Sequence, residues 1–355
     1  MKRVYVIVVN WNGWRDTIEC LESVFRLEYP DYRVIVSDNG SMDDSLSRIV
    51  DWAKGDSTVA PVSEHPLHSA LVNPPVKKPL SYVTYGRHQA EEGGDRSLDP
   101  HLILLQAGEN LGFAGGNNVG LKYALARGDF DYIWLLNNDT VVDPQSLRCL
   151  VNRLAEKPSA GICGSTLVHY GSQTKIQARG GGWYCKWIGL PWHIGQLDKV
   201  NAQPKRAHVE KWMNYVVGAS MLVSRDFLHK VGLMSEDYFL YFEELDWVLR
   251  ADPHFKLAYA PESIVYHKLG ASIGTSTDPR KKSLICEYYS IRNRIKFTRR
   301  YFPVALLTVY PVLCLSVFSR MLFGQWSRAA MIVRLMLAGG EDLANMKLTK
   351  RLTPS

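Results

Sequence analysis

The sequence predicts an α/β fold in which a mainly parallel central sheet is flanked by helices. Short unbroken apolar runs, typical of strands buried on both faces, recur through the first half of the chain. Segments with helical periodicity separate these runs, and regular strand–helix alternation implies parallel strands joined by right-handed crossovers. Polar residues follow several of the runs, at the positions where ligands bind in open α/β sheets.

The apolar runs and the periodic segments define the predicted elements in chain order. In the first helical segment, for example, Ile18, Leu21 and Phe25 share one face. The alternation becomes looser after residue 155. We predict strands at 4–9, 32–37, 101–106, 132–136, 162–169 and 216–224, and helices at 14–26, 45–54, 119–126 and 146–155.

Two stretches of unusual composition interrupt this pattern. Residues 55–100 are rich in Pro, His, Ser and Gly, which predicts a long insertion or a loop. Residues 170–203 are rich in Gly and Trp. Their aromatic rings suit stacking on a sugar or an acceptor, but they suit packing inside an irregular loop equally well.

The composition is that of a folded chain with a preference for anionic partners. Of the 355 residues, 46% are hydrophobic and 22% are charged, and the formal net charge is +7. This charge favours nucleotides or phospholipid headgroups, whereas nucleic acid is not expected because no recognised reader motif is visible. Six scattered cysteines without a CxxC pair argue against zinc or a disulfide framework and fit a reducing compartment.

The two ends of the chain bear on membrane contact. The apolar stretch 4–9 is too short for a signal peptide, so we interpret it as the first strand of a cytoplasmic domain. Residues 301–324 are apolar and aromatic, and basic residues crowd ahead of them. This pattern favours a helix lying in the membrane interface, with a buried core helix as the alternative.

The tripeptide Asn137-Asn138-Asp139 is the strongest chemical signal in the chain. It follows the predicted strand 132–136, so its oxygen atoms are well placed to hold a divalent metal ion beyond the end of the sheet. Asn and Asp are also ordinary turn residues, and a simple turn is the alternative interpretation. Asp38 ends a neighbouring strand, where its carboxylate can accept a hydrogen bond from a nucleobase N–H. Helix capping is the alternative for the residues that follow it, among them Ser41.

A glycine run precedes the predicted helix 119–126. Gly112, Gly115 and Gly116 would permit a close approach of the backbone to a ligand and the opening of that helix. The run matches neither the Walker loop nor the Rossmann fingerprint, so by itself it is weak evidence.

A second polar cluster combines Glu243, Glu244 and Asp246 with five aromatic residues. If a helix begins near residue 242, Glu243 and Asp246 share one side and Glu244 is turned away from them. Acids at a helix N-terminus complement the helix dipole, but one ionised carboxylate in a cleft can also act as a general base. His267 ends a further strand-like run, before a stretch that contains cations, where metal binding or a structural role is possible.

Taken together, these motifs resemble the family 2 glycosyltransferases, and within them a rhamnosyltransferase-like branch. The resemblance runs from about residue 4 to 300, excluding 55–100, and the stretch 288–294 is similar to the same branch. It rests on six ordered motifs: VVNWNG, SDNGSMD, NLGFAGGNN, LLNNDT, FLYFEELDWVLR and IVYH.

The resemblance implies a GT-A fold, a divalent metal (Mn²⁺ or Mg²⁺) and a nucleoside-diphosphate sugar donor. By motif, Asp139 and His267 would hold the metal, and Glu244 would be the catalytic base. Contacts to the nucleotide sugar are expected from Asn10, Asn12, Asp38, Gly115, Asn117, Asn138 and Asp139.

Two residues depart from the family pattern. Asn137 stands where Asp is usual, which weakens any direct metal contact from that position. Glu244 stands where the base is usually Asp, and the additional methylene moves the carboxylate by roughly one bond length, enough to affect catalysis. Glu243 is therefore retained as a second candidate for the base.

The sequence thus predicts an inverting, metal-dependent glycosyltransferase. Residues 1–285 would form the catalytic domain, with a nucleotide-binding half 1–140 and an acceptor half 141–285, and residues 286–355 a C-terminal helical segment. The donor would be a UDP- or dTDP-sugar, with rhamnose suggested by the branch resemblance. The acceptor would be a glycan or a lipid-linked molecule, and the enzyme would be cytoplasmic and peripheral on the inner face of the membrane. The alternatives are a nucleotidyltransferase and a non-catalytic membrane scaffold of the same fold.

Overall fold

The computed structural model describes residues 2–56, 66–172, 174–202, 205–268 and 283–342. Within these ranges, ten strands form one large sheet and three form a small sheet. The strands are β1 (Val4–Asn10), β2 (Tyr32–Asp38), β3 (Tyr82–Gly86), β4 (Leu102–Gln106), β5 (Tyr132–Asn137), β6 (Thr140–Val142), β7 (Ala160–His169), β8 (Ile176–Arg179), β9 (Gly181–Cys185), β10 (Leu190–His193), β11 (Tyr215–Val216), β12 (Ser220–Ser224) and β13 (Lys256–His267).

The large sheet has the strand order β3-β4-β2-β1-β5-β12-β7-β13-β6, with β8 paired to β7. Its first half is parallel throughout, from β3 to β5. Strand β12 enters antiparallel between β5 and β7, and β6 and β8 also pair antiparallel with their neighbours. The predicted α/β fold with a mainly parallel sheet is therefore confirmed.

Helices cover both faces of this sheet. Along β1, Val6 and Val8 point into a core shared with the helices on one face, while Tyr5 and Ile7 point into a second core on the other face. The helices are α1 (Trp14–Val24), α2 (Ser45–Lys54), α3 (Pro66–Val72), α4 (Arg87–Glu91), α5 (Gly112–Arg127), α6 (Ser146–Glu156), α7 (Arg206–Trp212), α8 (Arg225–Val231), α9 (Glu243–Ala251), α10 (Leu284–Tyr301), α11 (Leu306–Leu322) and α12 (Trp326–Leu337).

The stretch 55–100 is not simply a loop. Its described part contains α3, β3 and α4, and β3 pairs in parallel with β4 as the edge strand of the large sheet. The prediction of a loop was wrong here because Pro, His and Ser dominate the composition. The strand itself carries the β-branched and aromatic residues that suit a pleated surface.

Two predicted boundaries also change. Helix α5 begins at Gly112, seven residues before the predicted start, so the glycine run lies inside the helix. The predicted strand 216–224 is divided into β11 and β12 by residues 217–219. β11 joins β9 and β10 in the small sheet, whereas β12 belongs to the large one.

The C-terminal helices leave a large apolar surface uncovered. Only Val309 and Leu313 of α11 are buried, so the alternative of a buried core helix is wrong for most of its length. The stretch Pro303–Leu322 is long and apolar enough to cross a membrane by length and composition, with a mean hydropathy of 1.7, and only 17% of that window is buried. Length and composition alone are weak evidence for a span.

Replacing Gly112 by Ala should destabilise the fold strongly. Gly112 has φ +71°, and an added Cβ would lie 2.2 Å from the Phe239 carbonyl oxygen. We expect a loss of about 3 kcal/mol or more in the free energy of unfolding, measured by urea denaturation, because left-handed backbone and overpacking add together. Gly108→Ala is the matched control: Gly108 has φ +85° but open space around it, so about 1–2 kcal/mol is expected. Equal losses in both variants would contradict the packing argument.

Candidate active site

Three strand ends meet at one edge of the large sheet. The parallel register aligns Asn10 of β1 with Asp38 of β2, and Val9 with Asn137 of β5. This places the NWNG, SDNGS and NNDT motifs side by side, at the carboxyl edge where open α/β sheets bind ligands.

A buried hydrogen-bond network joins the first two motifs. Asn10 Nδ2 donates to Asp38 Oδ1 at 2.8 Å and to Ser41 Oγ at 3.0 Å. The Ser41 hydroxyl donates to Asp38 Oδ1 at 2.6 Å, and its backbone N–H donates to Asp38 Oδ2 at 3.2 Å. Asn12, at φ +48°, donates its backbone N–H to Ser41 Oγ. The Asp38 carboxylate is therefore held in a fixed orientation, and Ser41 orients it instead of capping α2.

Thr17 on α1 extends the network to the third motif. Its hydroxyl donates to Asn10 Oδ1 at 2.7 Å and accepts from Asn138 Nδ2 at 3.1 Å. Thr17 was not predicted as a site residue. Its only sequence signal is a position one helical turn beyond Gly13, on the first helix after the NWNG motif.

Asp139 and His267 lie close together although they are far apart in the sequence. Strand β6, which follows Asp139, pairs with β13 so that Thr140 is opposite His267. The His267 Nε2 atom is 3.1 Å from Asp139 Oδ1, and both side chains are buried. His267 Nδ1 donates to Gln177 Oε1 at 2.9 Å, so Nε2 is the ring nitrogen that faces the carboxylate.

This donor pair fits a divalent metal ion. Two ligands about 2.1 Å from an octahedral ion and at right angles to each other are about 3 Å apart, as these two atoms are. If His267 were a ligand, Gln177 would be the outer hydrogen-bond partner that orients its ring. No group of three or more His, Cys, Asp and Glu side chains suited to a metal is present in the described residues, so the other ligands would be donor phosphates and water. The cations expected after His267 lie at 280–282, outside the described residues.

Glu244 lies against the break between β11 and β12. The backbone N–H of Gly218 donates to its carboxylate, and a Cβ on Gly218 would lie 2.8 Å from Glu244 Oε1. Next along the chain, the Ala219 carbonyl accepts from the Asn137 N–H at 3.1 Å, which connects Glu244 to the NNDT turn. Burial raises the pKa of Glu244, and the N–H groups of Glu244 and Gly218 oppose this rise.

Glu243 and Asp246 have different surroundings. Asp246 is fully buried and accepts hydrogen bonds from Tyr238, Tyr301 and Arg250, which is a structural role. Glu243 is buried with no hydrogen-bond partner for Oε2. Burial, followed by the charge of Glu244, raises the pKa of Glu243 well above its usual value.

The loop that leads into these acids is held from α10. Phe239, Tyr241 and Phe242 all have positive φ, between 60° and 74°. The side-chain amide of Asn293 donates to the carbonyl oxygens of Tyr238, Leu240 and Tyr241, at 2.7, 2.7 and 3.0 Å. Asn293 lies in the 288–294 stretch, but nothing in the sequence indicated this contact.

Gly115 and Asn117 lie in the first two turns of α5 and not on a loop. A Cβ on Gly115 would lie 2.5 Å from Leu111 Cβ, and Asn117 Nδ2 donates to the Phe113 carbonyl at 2.9 Å. Both residues therefore make packing contacts within or next to α5. The neighbouring Gly116 is the glycine that lets α5 approach the end of β1, because a Cβ there would lie 2.8 Å from Val9.

The Trp-rich segment forms the hairpin β9–β10, and its rings pack partly on each other. Trp183 and Trp192 stack on each other, with ring centroids 5.6 Å apart. Both rings, and that of Trp187, nevertheless remain 40–49% exposed.

Comparisons with known proteins agree with this geometry. The model of glycosyl transferase family 2 matches residues 5–65 and 87–232, more than half of the chain, and leaves out only 66–86 of the predicted insertion. The low-salt glycan biosynthesis hexosyltransferase Agl10 of Haloferax volcanii is 26% identical over 153 residues, which cover 43% of this chain and 46% of that protein. The chain therefore aligns with about half the length of this curated relative.

Solved structures show a related fold. GalNAc-T7, solved with UDP, GalNAc and Mn²⁺, aligns with a TM-score of 0.52 at 13% identity, over 83% of this chain and 48% of that one. The mannosyltransferase PcManGT from Pyrobaculum calidifontis, in complex with GDP-Man and Mn²⁺, gives a TM-score of 0.47 at 14% identity, over 95% and 87% of the two chains. The expected GT-A fold and the family resemblance are confirmed, whereas the rhamnosyltransferase-like branch stays a prediction.

Glu243→Gln should stabilise the protein at neutral pH. Because the folded-state pKa of Glu243 is raised, its contribution to stability is lost as pH rises from the unfolded-state pKa through the folded one. Thermal melts should show a higher Tm for Glu243→Gln at pH 7.5, and the gain should shrink towards pH 4.

Glu210→Gln is a control of opposite sign. Glu210 is partly buried but bonds Lys157 and Arg153, and its pKa is lowered. This variant should therefore lower the Tm at pH 7.5, and its cost should shrink as the pH falls. A Glu243→Gln difference that does not vary with pH would contradict the assigned burial effect.

Proposed function

Because this chain belongs to glycosyl transferase family 2, we propose that it is an inverting, metal-dependent glycosyltransferase. It transfers a sugar from a nucleoside-diphosphate donor to a hydroxyl group of a glycan or a lipid-linked acceptor. The observation that carries the proposal is the approach of Asp139 and His267 to 3.1 Å, beside the network at the ends of β1 and β2. Family membership favours this reaction over the nucleotidyltransferase and scaffold alternatives.

Asp139 and His267 are the proposed protein ligands of Mn²⁺ or Mg²⁺. When bound, the ion neutralises the charge that develops on the departing diphosphate. A carboxylate together with an imidazole leans slightly towards Mn²⁺. GalNAc-T7 was solved with Mn²⁺, which supports a divalent ion in this fold without choosing the metal for this chain.

Glu244 is the proposed general base. Its carboxylate takes the proton of the acceptor hydroxyl while the acceptor oxygen bonds to the anomeric carbon. The bond from that carbon to the diphosphate oxygen breaks with its electron pair, on the opposite face of the sugar. The raised pKa of Glu244 lies closer to neutral pH than that of an ordinary Glu, and a carboxylate with a higher pKa is a stronger base.

Asp38 is the proposed partner of the nucleobase. Asn10 and Ser41 fix its carboxylate, so that a remaining lone pair can accept a hydrogen bond from the imide N–H of uracil or thymine. This preference supports a UDP- or dTDP-sugar. Rhamnose as the sugar rests on the branch resemblance alone.

Peripheral attachment to the cytoplasmic face of a membrane is part of the same proposal. Along the chain, basic residues at the end of α10, including Arg299 and Arg300, precede the uncovered apolar residues of α11 and α12. Apolar area next to cations suits an anionic lipid surface. The name of the relative Agl10 places that protein in glycan biosynthesis, which is compatible with a membrane-bound acceptor.

Glu244→Gln should reduce turnover by orders of magnitude and leave donor binding intact. General-base assistance typically contributes about 10²–10⁴-fold, so a loss of that size is expected in single-turnover assays with labelled nucleotide sugars. Wild-type kcat/KM should fall as the pH decreases, with an apparent pKa above that of an ordinary Glu. Glu243, Tyr215 and Tyr241 lie near enough to influence this titration.

Glu243→Gln is the control and should retain turnover. Unchanged turnover in Glu244→Gln would remove Glu244 from the mechanism.

Asp139→Ala and His267→Ala should abolish metal-dependent binding of the nucleoside diphosphate. Titration calorimetry with UDP and dTDP, with and without Mn²⁺, measures this directly. Gln177→Leu should weaken Mn²⁺ binding by about 10–100-fold, because it removes only the partner that orients the imidazole. His169→Ala is the matched control, since His169 pairs with His267 in the sheet without being a proposed ligand. Full Mn²⁺-dependent affinity in Asp139→Ala would refute the metal assignment.

A further inference from the structure

A cavity of about 320 Å³ lies between the Trp-rich hairpin, α9 and the end of α10. Its walls are mostly aliphatic and aromatic: Trp183, Trp187, Leu245, Leu249, Phe297 and Phe302. The polar lining includes Asn214, whose Oδ1 already accepts from the Tyr184 N–H at 2.8 Å. A glycan site needs several polar groups to fix its hydroxyls, so this lining suits an apolar chain better.

The cavity adjoins the proposed catalytic base. Leu245 and Leu249 are one turn apart on α9, and Leu245 directly follows Glu244. Glu244 is turned by about 100° from Leu245 around the helix axis, towards Gly218. An occupant of the cavity would therefore be held on the helix that carries Glu244.

The other side of the cavity leads to the uncovered apolar surface of α11. The Thr308 hydroxyl, near the start of α11, donates to the Trp187 carbonyl at 2.5 Å. Leu307, beside Thr308, is 77% exposed, and further along the helix Leu315 and Phe318 are also exposed. A buried Glu287 on α10 pairs with Arg320 and Arg328, which fixes α11 and α12 on α10 and leaves these apolar side chains facing outward.

The side chain of Lys186 forms part of the cavity wall. Lys186 Nζ lies 5.4 Å from the ring centroid of Trp187 and 5.7 Å from that of Phe302. Among the described residues, no carboxylate forms an ion pair with it. A lysine ammonium with aromatic but no acidic neighbours is available to a phosphate group.

We infer that this cavity binds the apolar chain of a lipid-linked acceptor, with the phosphate of that acceptor at Lys186. The inference rests on the proposed glycosyltransferase function and specifies its acceptor as a sugar linked to an isoprenoid-like or acyl phosphate, whose free sugar hydroxyl is the one that Glu244 would deprotonate. About 320 Å³ is near the lower limit of small-molecule sites. The cavity therefore takes only the part of the chain nearest the phosphate, and the rest of the chain runs along α11.

Cys185 provides a direct test in the unmodified protein. Its free, partly exposed thiol lines the cavity, whereas Cys149 is a partly exposed thiol on α6 and Cys314 an exposed one on α11. Farnesyl phosphate, below its micelle concentration, should slow alkylation of Cys185 by N-ethylmaleimide by about tenfold or more, because the bound chain covers the thiol. Cys149 should react at an unchanged rate, whereas Cys314 reports separately on the surface of α11 along which the chain continues. Peptide mass spectrometry measures all three thiols.

Three outcomes would overturn the inference. Protection by inorganic phosphate alone would indicate only an anion site. Protection by maltotriose but not by farnesyl phosphate would indicate a glycan site. Protection of Cys314 without protection of Cys185 would mean that the probe only coats the apolar surface of α11.

Two variants test the walls of the cavity. Leu249→Trp should fill the cavity and Lys186→Ala should remove the phosphate partner, so both should reduce the protection of Cys185 several-fold. Leu98→Trp, at an exposed position remote from the cavity, is the matched control and should leave the protection unchanged. Thermal melts establish that each variant is folded, and undiminished protection in both folded variants would refute the inference.

Binding of UDP with Mn²⁺ is measured on the same samples. If the wild-type protein binds UDP with Mn²⁺ but farnesyl phosphate does not protect Cys185, only the acceptor site is rejected. If the wild-type protein does not bind UDP with Mn²⁺, the proposed function itself is rejected.

Discussion

The parallel register of β2, β1 and β5 is the constraint on which the site depends. It brings Asn10, Asp38 and Asn137 to the same edge of the sheet, where Thr17 and Ser41 then complete the hydrogen bonds between the strand ends. A shift of one residue in β1, which is buried on both faces, would exchange Val6 and Val8 with the larger Tyr5 and Ile7 between two close-packed cores, so core packing favours the observed register. The position of the polar network at the strand ends thus depends on the apolar packing along the length of β1.

The position of Glu244 in the site depends on a break between two strands and not on regular strand pairing. Residues 217–219 leave the strand direction between β11 and β12, and this irregular backbone supplies the Gly218 N–H to Glu244 and the Ala219 carbonyl to Asn137. The pairing of β6 with β13 then carries His267 to Asp139. The proposed base therefore lies on α9, against the backbone that passes from the small sheet to the large one, whereas the proposed metal ligands are brought together by the pairing of β6 with β13.

The sequence was sufficient to predict those strands and helices that have a clear local pattern of apolar residues. The strand 132–136 and the polar residues that follow it are visible because a buried strand is continuously apolar and a strand end is not. The start of α5 at Gly112 was missed because glycine is a poor helix former, and here close packing against Phe239 and Val9 outweighs that preference. Strand β3 was hidden by the composition around it. Thr17, Gln177 and Asn293 could not be found in advance, because each acts through a partner that only the folded chain brings near.

The amide of Asn293 has a consequence for how the molecule is divided. It belongs to the C-terminal helical segment, yet it holds three carbonyls of the loop that ends at Glu243. A domain boundary at residue 285 would separate Asn293 from the loop whose carbonyl oxygens it binds. The C-terminal helices are therefore connected, through the side-chain amide of Asn293, to the loop that precedes the proposed base. The packing of α10 on the catalytic domain therefore influences the position of the loop that leads into Glu243 and Glu244.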